Sequence, residues 1–241
     1  MGKEPPQRFL DESSGHSTAS GLGSRLFTIG HSNHEAEAFL ALLRRAEIKA
    51  IADVRSSAAS TRYPHFNRAE LERFLKQKGI TYLYLGDLLG GRPQGPSLYD
   101  ENGRVDYERV RQMPFFEEGL GRVIKGQKQF RIALMCAEED PLRCHRGLMI
   151  APALVDRGFA PVHVRGDSTL ESTAEMEKRL FKETKKAEFL DGLFATTFSD
   201  DERRAWLREA YHEMAERRAF RQRPDSATEA DVRGEIDDFG E

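Results

Sequence analysis

Two rhythms of apolar and polar positions alternate along the chain. Short unbroken apolar runs end in Gly, Asp or Ser. Between them lie segments of about a dozen residues whose apolar positions recur at three- and four-residue spacing. The first kind predicts buried strands at "RLFTIGHS", "IKAIADVRSS", "ITYLYLGDLLGG", "FRIALMC" and, last, "APVHVRG". The second kind predicts helices. Ser32 and Glu35 fit a capping box ahead of Phe39, Leu40, Leu42 and Leu43. Asn67 reads as the cap of "NRAELERFLKQKG", with Gly79 as its stop. Two short helical pieces, broken near Pro114, fill 106–124, and "RGLMIAPALVDRG" closes on Gly158.

Strands alternating with helices imply parallel βαβ units. The expected fold is α/β, a three-layer α/β/α domain over 25–170 with a mostly parallel sheet. From about 171 the rhythm becomes wholly helical. Ser199 and Glu202 form a second capping box, and Trp206, Leu207, Tyr211 and Met214 follow at helical spacing. This predicts a C-terminal helical extension over 171–221, through which a homo-oligomer could form. Residues 1–24 are rich in Ser, Gly and Pro without a period, and read as a disordered leader. Residues 90–105 form a turn-rich loop long enough to be a functional lid.

Composition narrows the class. At 39% hydrophobic the chain can build a sizeable core, yet no run approaches the roughly 20 apolar residues of a membrane span. The N-terminus lacks the apolar stretch of a secretory signal, and two cysteines make no disulfide framework, so a reducing cytoplasm is the expected compartment. The net charge of -3 hides an acidic tail, 222–241, with seven acids and two arginines. The rest is close to neutral, which supports a nucleic-acid partner only weakly.

Candidate chemistry gathers at strand ends. In parallel sheets ligands bind outside the carboxyl edge. His31 and Ser32, Asp53 and Arg55, and Cys136 with Glu138 each follow a predicted strand. Cys144, His145 and Arg146 open the next helix, where free N–H groups would favour an anion and ionise a thiol. Known thiol loops fail by counting. An Arg six residues after Cys would fall on Leu142 or Ile150, and an Arg five after Cys on Pro141 or Met149. Metal binding by Cys136, Cys144, His145 and His31 is considered, but the spacing lacks a C-x-x-C pair, so no metal and no cofactor is assigned. A Cys136–Cys144 disulfide requires a separation that sequence does not give.

The blocks "TIGHSN", "DVRSSAASTRYPHFN", "YLGDLLGG" and "CAEEDPLRCHR", in this order, resemble the domain-of-unknown-function 488 family over roughly 26–168. The resemblance implies a compact α/β fold and a site built from these blocks, without an agreed reaction. Its signature positions fall on His31, Ser32, Asp53, Arg55, Arg62, Phe66, Cys136, Glu138, Pro141, Cys144, His145 and Arg146. One departure is "SSAAS", where family members commonly carry proline; it bears on the aim of Arg62.

The expectation is an enzyme acting on an anionic, phosphate- or nucleotide-like small molecule. Cys144, His145, Asp53 and Glu138 would carry the chemistry; His31, Ser32, Arg55, Arg62, Cys136 and Arg146 would bind. The alternative is a non-catalytic module that senses a nucleotide or nucleic acid.

Overall fold

The computed structural model describes residues 26–185 and 199–222. The expected leader and all but the first residue of the acidic tail lie outside the described residues. Among the described residues, six strands form one sheet: β1 (Leu26–Gly30), β2 (Ala50–Asp53), β3 (Thr81–Tyr84), β4 (Ile132–Cys136), β5 (Val162–Val164) and β6 (Leu170–Ser172). Their order is β3-β2-β4-β1-β5-β6. The first five strands run parallel, and β6 pairs antiparallel with β5. The sequence expectation ended the sheet at β5. β6 is three residues long, partly exposed and polar on average, so it carries no apolar run to read.

Alternation along the strands divides the core in two. Phe27, Ile29, Ile51, Ala133 and Met135 face helices α1 (Ala36–Arg45) and α2 (Arg68–Gln77). Leu26, Ala52, Val54, Leu134 and Cys136 face the other way. There they meet α5 (Pro114–Gln127), α6 (Ala151–Val155) and the C-terminal helices α7 (Thr173–Glu183) and α8 (Asp200–Arg218). Two short helices, α3 (Gly86–Leu89) and α4 (Tyr107–Arg111), lie in the β3–β4 connection. The result is the three-layer α/β/α domain with a mostly parallel sheet and a C-terminal helical extension.

Local signals succeeded where the backbone is ordinary. Gly79 and Gly158 take positive φ at helix ends, and Ser199 and Glu202 close their capping box. They failed near the sheet's carboxyl edge. α1 starts after Glu35 with no side-chain cap, because Ser32 is turned to φ 49. Asn67 accepts from the Ser60 N–H at 2.6 Å instead of capping α2, and so folds the 56–62 loop back. The 90–105 segment is packed rather than free. Leu98 and Tyr99 are buried, and the Val105 N–H donates to Phe220 after α8.

α7 and α8 enclose one perturbed carboxyl. Tyr211 donates to Glu177 at 3.1 Å. Burial pushes Glu177 up to about 7, against that hydrogen bond and with help from Asp156. A carboxyl raised on folding stabilises the protein below its ordinary value and loses that contribution as pH climbs through 7. Denaturant unfolding should therefore lose about 1–2 kcal/mol between about pH 5 and about pH 8 in the wild type, and Glu177→Gln should abolish that share of the slope. Equal slopes in the two proteins would refute it.

Candidate functional site

The chain switches direction at the centre of the sheet. From β1 it crosses to α1 on one face, and from the neighbouring β4 it crosses to α6 on the other. Such a switch point opens a crevice at the carboxyl edge. The two strand ends are zipped together there: His31 N–H donates to Cys136 O at 2.9 Å and Ser32 N–H to Ala137 O at 2.8 Å. Gly30 permits this crossing, since a Cβ on it would stand 1.8 Å from the Glu138 carbonyl oxygen.

On the α1/α2 face, Asp53 and Arg55 form a closed ion pair. Arg55 Nη2 donates to Asp53 Oδ2 at 2.6 Å and Nε to Oδ1 at 2.9 Å, and the Tyr82 hydroxyl donates to Oδ2 at 2.7 Å. Both partners are buried. Arg55 Nη2 also reaches Phe66 O, and Nη1 donates to His31 Nε2 at 3.2 Å. His31 Nδ1–H therefore donates to Ser32 O, and the ring stacks on Phe66 at 4.2 Å. Burial and the Arg55 charge lower His31 to about 4, so it stays neutral. These residues lock three loops together, and the Arg55 donors go to the protein.

Arg146 lies under the opposite face with no solvent exposure. Its Nη1 donates to Cys136 Sγ and Glu138 O, both at 2.6 Å, and its Nη2 to Glu139 O at 2.5 Å. Nε donates to Thr28 Oγ1, which donates in turn to His163 Nδ1 at 2.8 Å. Burial and Arg146 together lower the His163 imidazole to about 3. Arg146 is thus a buried brace for the 136–139 turn. It and Arg55 flank the sheet on opposite faces and do not converge on a shared guest, whereas the sequence reading expected them to hold one anion together.

Cys144, His145, Cys136 and Glu138 form the second cluster. Cys144 is not the mouth of a long helix: a five-residue π-helical turn, Arg146–Ile150, separates it from α6. Its sulfur accepts from the Arg146 N–H at 3.4 Å. Gly147 makes the tight turn possible, since a Cβ there would meet Pro141 O at 2.2 Å. His145 Nε2 contacts Val54 O at 2.9 Å. A carbonyl only accepts, so Nε2 carries the proton and the Nδ1 lone pair faces Cys144 Sγ at 3.6 Å. Cys136 Sγ donates to Glu138 Oε2 at 3.2 Å. Burial and the Cys144 hydrogen bond push the Cys136 thiol up, while Arg146 pulls it down. Burial alone would raise Glu138, but hydrogen bonds from Cys144 and Cys136 hold it below its usual value. The ligand atoms of Cys136, Glu138 and Cys144 all lie within 4.8 Å of one another, which a single cation could bridge.

Arg62 is exposed, its guanidinium 5.5 Å from the Tyr63 ring centre, and Ser32 hydrogen-bonds Asn33. Neither reaches the cysteine group. A cleft of about 840 Å³ opens between α4, α6, α7 and α8, with Leu148, Glu177 and Tyr211 in its wall. Tyr107 lines the cleft, and its phenol is pushed up by burial and by Cys144, Glu138 and Cys136.

Residues 35–151 match the family described as a domain of unknown function, DUF488. Over these residues the chain is similar to the DUF488 family. No curated protein and no solved structure matches it. The DUF488 match contains Asp53, Arg55, Cys136, Glu138, Cys144, His145 and Arg146. His31 and Ser32 on the β1 side stand just outside it.

Sequence reading missed several members of these side-chain clusters. Thr28 and His163 complete the chain beneath Arg146, and Tyr82 completes the Asp53 pair. A histidine between two valines in "APVHVRG" was the available signal for His163. The brace on the 138–140 loop was also missed. Glu139 pairs with Arg165, and Asp140 with Arg179 of α7. Burial alone would raise Asp140, yet the Arg179 bond and the Leu142 N–H hold it down at about 2. The helical extension thereby positions the site.

Proposed function

We propose that this chain is an enzyme acting on a small anionic substrate at the carboxyl edge of the sheet, with Cys144 and His145 at its reaction centre. The observation that carries the reading is the fixed His145 ring. Val54 O holds its Nε2–H, which leaves Nδ1 aimed at the Cys144 sulfur. A base oriented by a third group is the arrangement that activates a thiol. Cys144 takes on negative charge, His145 moves the proton, Glu138 orders the sulfurs, and the buried Arg146 charge favours ionised sulfur without touching substrate.

Of the arginines the sequence reading chose for anion recognition, Arg62 keeps that role, and Arg92 and Arg143 join it in place of Arg55 and Arg146. The loops after β2, β3 and β4 carry the exposed Arg62, Arg92 and Arg143, none of which makes an ion pair among the described residues. Asp53 and Arg55 serve by holding Val54, the His145 acceptor, in place. Two free thiols suit a reducing, cytoplasmic compartment.

The test is a turnover screen of phosphate monoesters, nucleotides and thioesters. The wild type should consume at least one class, and Cys144→Ser and His145→Ala should each lower the rate by about 10²–10⁴. Unaltered turnover in both variants would reject the assignment. Anion binding with no consumption by any protein would favour the sensing module instead.

A further inference from the structure

Cys136 Sγ, Cys144 Sγ and a Glu138 carboxylate oxygen lie mutually within 4.8 Å. They come from the last residue of β4, the turn after it and the second residue before the Arg146–Ile150 turn. Tertiary structure assembles the set, which is why residue spacing gave no sign of it. We propose that these three side chains hold one zinc-type divalent cation. The inference deepens the reading above and rests on it. A bound cation would add a positive charge at the reaction centre itself, to which the exposed Arg62, Arg92 and Arg143 contribute only from the loops and which Arg55 and Arg146, spent on the protein, do not supply.

Charge supports the assignment. Two thiolates and a carboxylate around a divalent cation leave one net negative charge. Arg146, wholly buried and 2.6 Å from Cys136 Sγ, neutralises it. A buried charge needs such compensation. Arg146 also donates to a ligand sulfur from outside the set, as supporting groups around bound metals do. Two soft sulfur donors select zinc over magnesium or calcium. Three protein ligands, with Glu138 approaching from the exposed side, match metal sites that keep a position open for water or substrate. His145 stays outside the set, its Nδ1 3.6 Å from Cys144 Sγ, and remains available for proton transfer.

Cobalt(II) titration of the full chain, reduced and chelator-treated under anaerobic conditions, tests this without any substrate. One equivalent should bind per chain, with sulfur-to-cobalt charge-transfer absorption and intense tetrahedral bands, and zinc should displace it. Cys144→Ser should weaken binding by more than the about 10–100-fold that loss of a supporting group costs. Glu138→Gln changes an exposed side chain and so guards against misfolding. It should weaken binding by at least about tenfold while keeping the charge-transfer band. Absence of that band in the folded wild type, equal affinity in wild type and both variants, or a Cys136–Cys144 disulfide that re-forms under these reducing conditions would overturn the proposal. The two readings fail separately. Loss of turnover in Cys144→Ser without any metal binding sinks only the cation. Metal binding without turnover of any substrate sinks only the enzyme.

Discussion

Replacing Arg146 by methionine should cost at least about 3 kcal/mol of unfolding free energy. Two effects oppose each other here. Removing a wholly buried guanidinium spares its desolvation, and an apolar side chain of similar length can then be neutral or even stabilising. That holds when every partner is replaced as well. Here the partners remain. Glu138 O, Glu139 O and Thr28 Oγ1 each lose a donor inside the protein. Unmade hydrogen bonds of this kind cost about 1–3 kcal/mol apiece, so the orphaned acceptors outweigh the saving. Arg146→Lys should also be destabilised, because one ammonium cannot span acceptors that a planar fork reaches in several directions. Urea unfolding of the three proteins gives the comparison, and a methionine variant within about 1 kcal/mol of wild type would mean that the brace is dispensable.

Asp53→Asn should cost about 3–5 kcal/mol, because the Arg55 charge stays buried without its counter-ion. The amide cannot accept at both positions, so it sets N–H groups against either the Arg55 fork or the Tyr82 hydroxyl. Tyr82→Phe removes one hydrogen bond from the same carboxylate and should cost only about 0.5–1.5 kcal/mol. The double variant should fall short of the sum, since both changes act on Oδ2. Strict additivity in denaturant midpoints would show that the two groups do not share the carboxylate. Asp53→Asn should also lower turnover without touching substrate, because Val54, the acceptor for His145, is the next residue in the chain.

The two variants mark what the sequence could and could not convey. The five parallel strands were legible because each is buried on both faces or ends in a polar turn, which gives short apolar runs. β6 was not legible, since an edge strand of three partly exposed residues has no pattern. Strand-end residues were rightly suspected of forming clusters, yet their grouping was not visible. Whether Asp53 and Cys136 share a guest depends on which face each side chain takes, and alternation puts them on opposite faces. Arg55 and Arg146 looked like ligand clamps because sequence shows a donor without its acceptors. Most of those acceptors are backbone carbonyls, a thiol and a hydroxyl, which leave no complementary charge to read. The same holds for the Cys136, Glu138 and Cys144 set, where a strand end and a turn before a π-helical segment replace the short spacing of simpler metal sites.

The most direct test is timed alkylation of the native, chelator-treated chain, read by peptide mass spectrometry at each cysteine. The thiolate is the reacting form, so the rate reports the partner of each sulfur. Both thiols are buried, but Cys144 keeps 4% exposure where Cys136 has none, so Cys144 should be modified first while Cys136 stays protected, and His145→Ala should slow Cys144 by about tenfold or more. If both cysteines resist until the protein unfolds, or if Cys144 reacts as fast without His145, the pair is only part of the core.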